Sequence, residues 1–496
     1  MVRLGYKGWV EKQFSLPQTM HLAHVDRWMT ELGPGKKTWE YSYNLLDSFY
    51  MQAMLGPDQL RQRMVFALSQ IFVVSMDSNE VRDRPRCHTS YVDMLGRNAF
   101  GNFRTLLEEV STHGMMGVYL SHRANEKEDP VKGTSPDENY AREVMQLFSI
   151  GLVQLNPDGS PKRDSAGNTI PTYSNADVVG LAKVFTGWSW VPDDSNPNSF
   201  RENFPSFDIQ IKPMQPYEQH HSTSEKRFLG VTVPAGTTAR PSLRIALDTL
   251  FNHPNTGPFI GRQLIQRLVT SNPSPAYVSR VAAAFANNGS GIRGDMKAVI
   301  RAILLDNEAC LPARPGDGRH GKVREPVLRL TAWARAFGAI SESREFRFRY
   351  TKKIGQTPLN PPSVFNFYRP GFVPPGSAIA SAGLVAPELQ INTESQVTSY
   401  LNFMWETMVN GAGEKKGENL DVTCTYPIET AMASNPVALI ERVDLLLTGQ
   451  RLSSATRSAM RRAIDSVPTT ASDAMLKRTR IAVLLALCSP EFLIQV

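Results

Sequence analysis

Apolar positions along this chain recur mainly at helical spacing. In DQLRQRMVFALSQIFVVSM, Leu60, Met64, Ala67, Leu68, Ile71 and Phe72 share one face with Arg61 and Arg63 between them, which predicts a core helix from Asp58 to Met76, fully buried towards its end. A second helix is expected over 101–123. A third is announced by Ser135-Pro136-Asp137-Glu138, with Ser135 as cap, Pro136 in the first helical position and Glu138 closing a capping box; it runs to Ile150 and stops at Gly151. The turn pairs Asp158-Gly159 and Ala166-Gly167 predict a small β-hairpin near 152–172. Ser174, with Asp177 three residues on, opens a helix that ends near Gly187, just before Trp188 and Trp190.

Residues 191–240 lose the helical period and are rich in Pro, Asn, Ser and His, so they read as an irregular excursion with short strands. Helical spacing returns over 243–251, 256–269, 275–286, 294–305 and 325–337. A second irregular stretch, 353–387, carries Pro358, Pro361, Pro362, Pro370, Pro374 and Pro375, and helices at 436–447, 454–465 and 472–487 complete the chain. The expected fold is mainly α, a large helical bundle or array with a small hairpin and long irregular loops. It divides into an N-terminal helical region (1–190), the excursion (191–240) and a C-terminal helical region (241–496), or forms one continuous domain.

Composition refines this picture modestly. With 496 residues, 41% hydrophobic and 20% charged, the chain has apolar material for a large core or two adjoining ones. No run approaches the roughly 20 apolar residues that span a bilayer. The opening MVRLGYKGWVEKQF lacks the apolar stretch of a secretory signal, so the expectation is either a cytoplasmic protein or one numbered without its leader. Cys87, Cys310, Cys424 and Cys488 are widely spaced and form no C-x-x-C pair; one or two disulfides are compatible with them, a structural zinc site is not. The net charge of +7 permits attraction to an anionic polymer, but no nucleic-acid module accompanies it and no nucleic-acid partner is expected. G-x-S-x-G, P-loop and dinucleotide-binding patterns are missing.

Several segments together resemble the bacterial domain of unknown function 1800 family: RQRMVFALSQIFVVS at 61–75, ENYAREVMQLFSIGLVQLNPDG at 138–159, ADVVGLAKVFTGWSW at 176–190, HHSTSEKRFLG at 220–230, HPNTGPFIGRQLIQRLVTSNPSPAYVSRVAAAF at 253–285, REPVLRLTAWARAFGA at 324–339 and PPSVFNFYRPGF at 361–372. Two departures stand out. Members usually carry a leader and an R-F-L-x-Q-A-T-F-G-like helix ahead of the segment matching Leu4-Gly5-Tyr6. Many also carry W-H-N-H-F where this chain has Leu68, Ser69, Gln70, Ile71 and Phe72, so no metal role attached to those two histidines transfers. The resemblance implies a periplasmic or secreted protein and a sulfatase-like partner encoded nearby. It supplies neither an activity nor a cofactor, and metal dependence stays open.

Candidate chemistry gathers in three places. Asn139, Arg142 and Glu143 form a polar face opposite Tyr140, Val144, Leu147 and Phe148; Glu143 is the candidate general acid or base and Arg142 an anion holder, against a structural reading in which Glu138 caps the helix and pairs with Arg142. The family's H-D-x-x-x-x-K pattern maps onto His220 and Lys226 with His221 in place of the acid, which makes His220 and Lys226 proton-transfer or anion-binding candidates, against a polar surface loop. Trp188, Asn366, Tyr368 and Arg369 are candidate ligand contacts, an aromatic platform with polar companions, against ordinary rim packing. A metal site built from Glu143, His220 and His253 has no diagnostic spacing. Both irregular stretches are expected near the polar start of the 136–150 helix. Two functions follow: an envelope or secreted factor binding a polysaccharide, another anionic polymer or a partner protein, and an extracytoplasmic hydrolase or lyase acting on a carbohydrate polymer.

Overall fold

Helical spacing translates into helices almost throughout, and the Gly- and Pro-rich stretches between them leave room only for short extended segments. The computed structural model describes residues 4–33, 38–192, 196, 198–311, 318–416 and 419–496. These form 24 α-helices and four small antiparallel sheets, three of two strands and one of three, so the fold is mainly α as expected. Residues 193–195 and 197 of the 191–240 excursion lie outside the described residues. No described helix is long and apolar enough to cross a membrane.

Several predicted helices are cut short, that of 136–150 to Asn139–Gln146 among them, and two yield to tertiary contacts. The helix beginning at Gln59 ends at Ser69, not Met76. Beyond it the chain turns away to meet the Pro-rich stretch, with the Met76 N–H donating to the Leu359 carbonyl at 3.0 Å and the Ser75 hydroxyl to the Pro361 carbonyl at 2.5 Å. The helix expected over 101–123 breaks at His113 into Phe103–Thr112 and Gly114–Tyr119, where His113 bridges Pro213 and the Thr112 carbonyl accepts the Met214 N–H at 2.7 Å; the His113 imidazole Nδ1 accepts the Met115 N–H and caps the second piece.

Caps show the same competition. The Ser174–Asp177 capping box forms as read. At the preceding helix, Asn139–Gln146, it does not: the Asp137 carboxylate takes the Asn139 N–H at 2.7 Å, and Glu138 pairs with Arg142 at 3.0 Å. Gly151 ends this region at φ +70°, where a side chain would meet the Phe259 ring. The hairpin region folds as a meander of isolated bridges, Val153 with Pro171, Leu155 with Pro161 and Arg163 with Thr169.

The apolar interior falls into two clusters. One runs from Val10 through Ile303 and includes Leu359; the other joins Val327 through Phe492 to Phe49, Tyr50 and Phe66. Two helices belong to both. Thr38–Leu55 sends Leu45 and Leu46 into the first cluster and Phe49 and Tyr50 into the second, while Gln59–Ser69 divides Met64 and Leu68 from Phe66. A buried polar network lies where they meet.

Candidate ligand cavity

The Thr256–Leu268 helix sets one wall. Phe259, Arg262, Gln263, Gln266 and Arg267 fall at i, i+3, i+4, i+7 and i+8, which places them on one face, while Ile260 and Leu264 point into the first core. That face, the end of the Asn139–Gln146 helix, the start of the meander and the Val364–Gly371 segment enclose a cavity of about 640 Å³, with Gln70 and Ile71 at its inner edge. The second irregular stretch therefore meets the C-terminal end of the helix that carries Glu143, not its polar start. The first stretch lies near that start, where the Asn125 amide bridges Asp137 and the Lys127 N–H donates to the His220 carbonyl.

Behind the cavity the network ties four stretches of chain together. Arg267 donates through Nη2 to the Gln70 carbonyl at 3.0 Å, and its own carbonyl accepts from Lys322 Nζ at 2.8 Å and Arg63 Nη2 at 2.5 Å. The Gln70 side chain donates to Glu325 Oε2 at 2.6 Å and accepts the Tyr368 hydroxyl at 3.2 Å; Gln356 donates to the same Glu325 oxygen at 2.6 Å. Lys322 pairs with Glu388 at 3.0 Å. Burial acts to raise the pKa of Glu325, but Lys322, Arg63 and the two amides outweigh it and hold the carboxyl below its ordinary value. Burial pushes the Tyr368 hydroxyl well above its usual range, so this phenol stays a neutral donor.

The cavity wall is cationic and rich in amides. Arg262 and Arg369 are exposed at the mouth, Arg267 is buried at the floor, and no Asp, Glu or His lines it among the described residues. Of the sequence candidates, Asn366 and Arg369 line this cavity and Tyr368 supports it from behind. Asn366 is 5% exposed at φ 64°, and neither of its amide atoms has a partner within the chain.

The remaining candidates sit elsewhere. Glu143 is buried one helical turn before Leu147, which lines the cavity; its Oε2 has no partner, and burial raises its pKa against the pull of Arg142. Asn139 is exposed and bonds Ser121, while Arg142 pairs with Glu138. His220 donates from Nδ1 to Glu126 at 2.8 Å and stacks on Phe200 with ring centroids 3.8 Å apart. Lys226 is fully buried, giving its ammonium to the carbonyls of Ser222 at 2.8 Å and Ser224 at 3.3 Å; burial lowers its pKa, with Glu128 opposing. Trp188 is buried, its indole N–H directed to the Val184 carbonyl. Among the described residues no hydrogen bond or ion pair joins Glu143 to His220 or Lys226, and no three His, Cys, Asp or Glu side chains converge as metal ligands. All four cysteines are free thiols.

Sequence reasoning passed over Gln70, Arg262, Gln263, Gln266 and Arg267. The signal was present: two Arg/Gln pairs four residues apart continue the face begun by Phe259, on a helix whose Gly257 and Gly261 pack closely on Phe285 and Val281.

Fold and cavity together define a mainly helical protein with a cationic, largely aliphatic cavity beside a buried ion network. Residues 1–494 match the family model described as "Protein of unknown function (DUF1800)", and the chain belongs to that family. No curated protein and no solved structure matches it.

Proposed function

We propose that this protein is a bacterial envelope or secreted binding factor that holds an acidic group of a polymer or partner protein in the cavity beside Arg267. The observation that carries the reading is the wall itself: three arginines and several carboxamide residues line one cavity, with no Asp, Glu or His in its wall among the described residues. Such a wall binds anions and lacks the proton-transfer groups of an acid–base catalyst. Its size is that of cavities that enclose small ligands or single recognition groups. Family resemblance supports the periplasmic or secreted placement and makes a sulfatase-like protein the first partner to test.

Calorimetric titration with dextran sulfate and with neutral dextran tests this reading. The sulfated polymer is expected to bind, more weakly as salt is raised, and the double substitution Arg262→Gln with Arg369→Gln to weaken it by about tenfold or more. Both arginines are exposed, so the fold should tolerate their loss. Equal binding of the neutral polymer, or an unchanged affinity in the double variant, would sink the proposal. A hydrolase or lyase reading rests on Glu143, whose buried carboxyl has a raised pKa and an unpartnered oxygen, one helical turn before the cavity-lining Leu147. Release of reducing ends from an acidic polysaccharide, abolished in Glu143→Gln, would establish it.

A further inference from the structure

Resting on the anion-binding reading of the cavity, we infer that the acidic group it holds ends a hydrocarbon chain: the ligand is a single-chain amphiphile with an anionic head. Most polar side chains on the wall are spent within the chain or closed to solvent. Gln70 gives its amide to Glu325 and accepts the Tyr368 hydroxyl, and Gln266 donates to the carbonyls of Ser271 at 3.0 Å and Pro370 at 3.2 Å. Both amide atoms of Asn366, Nε2 of Gln263 and Nε of Arg267 are sealed from solvent, and Arg267 is only 3% exposed. What the wall offers a ligand is therefore mainly carbon. Leu147, Leu155, Phe259 and Val364 are half-buried there, while Leu152 and Phe365 are 56% and 39% exposed. Apolar side chains left wet around one concave surface of this size mark a place that an apolar group fills.

The accessible charge is confined to the mouth. Arg262 and Arg369 are exposed, and no carboxylate pairs with either among the described residues. The Arg369 guanidinium carbon lies 5.3 Å from the centre of the exposed Phe365 ring, so a free cation stands directly against the apolar surface. That juxtaposition matches an anionic head joined to a chain: the head meets the two guanidiniums and the chain covers the aliphatic wall. A sugar ring presents hydroxyls all round and would exchange their water for carbon. A polyanion with no apolar part would leave the aliphatic surface wet.

The experiment titrates the full chain calorimetrically with acetate, butyrate, hexanoate and octanoate, with 1-octanol, and with dextran sulfate. Each added methylene is expected to tighten the carboxylate by up to about fourfold, and octanoate to bind at least about tenfold more tightly than octanol. Leu152→Asn and Phe365→Ser, both at exposed positions and neither altering charge, should each weaken octanoate by about threefold or more and leave dextran sulfate unchanged. An unchanged thermal midpoint shows that each variant is folded. Octanoate bound no tighter than acetate, octanol bound as tightly as octanoate, or octanoate unaffected by both substitutions overturns the inference. Any of these with dextran sulfate still bound leaves the anion-binding reading standing; failure of every probe removes both. Octanoate bound without dextran sulfate upholds the inference and removes the polymer from that reading.

Discussion

Burial lifts the Glu143 carboxyl above its ordinary value of 4.5, and only Arg142 pulls the other way. A carboxyl with a raised folded pKa stabilises the fold while protonated, and that stability is lost as pH rises from the unfolded value through the folded one. Glu143→Gln mimics the protonated state. The variant is expected to melt above the parent at neutral pH, with the gap closing as pH falls below 4.5; a lower midpoint at neutral pH in scanning calorimetry would mean that the carboxylate makes a stabilising contact. At this scale part of the site was legible in the sequence. Asn366 and Arg369 stand out because PPSVFNFYRPGF sets polar residues among aromatics in an irregular stretch. Gln70, Gln263 and Arg267 do not, because a buried polar residue on an amphipathic helix has the same local pattern as a solvated one. Only their tertiary partners, or the lack of them, tell the two apart.

Helices were readable where one face is apolar and the other polar: Pro275–Ala286, Pro436–Leu447 and Ser454–Asp465 fall within the predicted bounds. Glu394–Asn410 escaped because it is apolar on both sides. Tyr400, Phe403, Met404 and Met408 pack inward, while Val397, Leu401 and Trp405 form an exposed stripe that blurs the period. The three-stranded sheet was hidden for a different reason: Asn419–Thr423 pairs with Ile340–Ser341, about 80 residues earlier, and short strands carry little pattern of their own. Packing between elements supplies a sharp test. A Cβ on Gly180 would lie 1.7 Å from the Arg227 carbonyl oxygen, because the Asn175–Ala182 helix rests directly on the Lys226–Phe228 strand. Backbone cannot swing aside as a side chain can, so Gly180→Ala is expected to cost about 1–3 kcal/mol or more. Urea unfolding of Gly180→Ala beside Gly133→Ala, which has open space at its Cβ but a left-handed φ of +68°, separates collision from backbone strain; an equal loss in both would remove the packing argument.

Two apolar clusters need not mean two folding units. The Thr38–Leu55 and Gln59–Ser69 helices each contribute to both, so unfolding either cluster exposes apolar surface in the other. One cooperative transition is expected. Hydrogen exchange at the Thr256–Leu268 helix, in the first cluster, and the Pro326–Ala336 helix, in the second, should report the same opening free energy in increasing urea; separate transitions would show that the shared helices do not couple the halves. Gln70 sits at this junction with every polar group of its side chain and its carbonyl engaged, by Glu325, Tyr368 and Arg267. Arg267 is also a wall of the cavity. One guanidinium thus does two jobs, as the floor of a side cavity and as a latch between the two halves of the molecule.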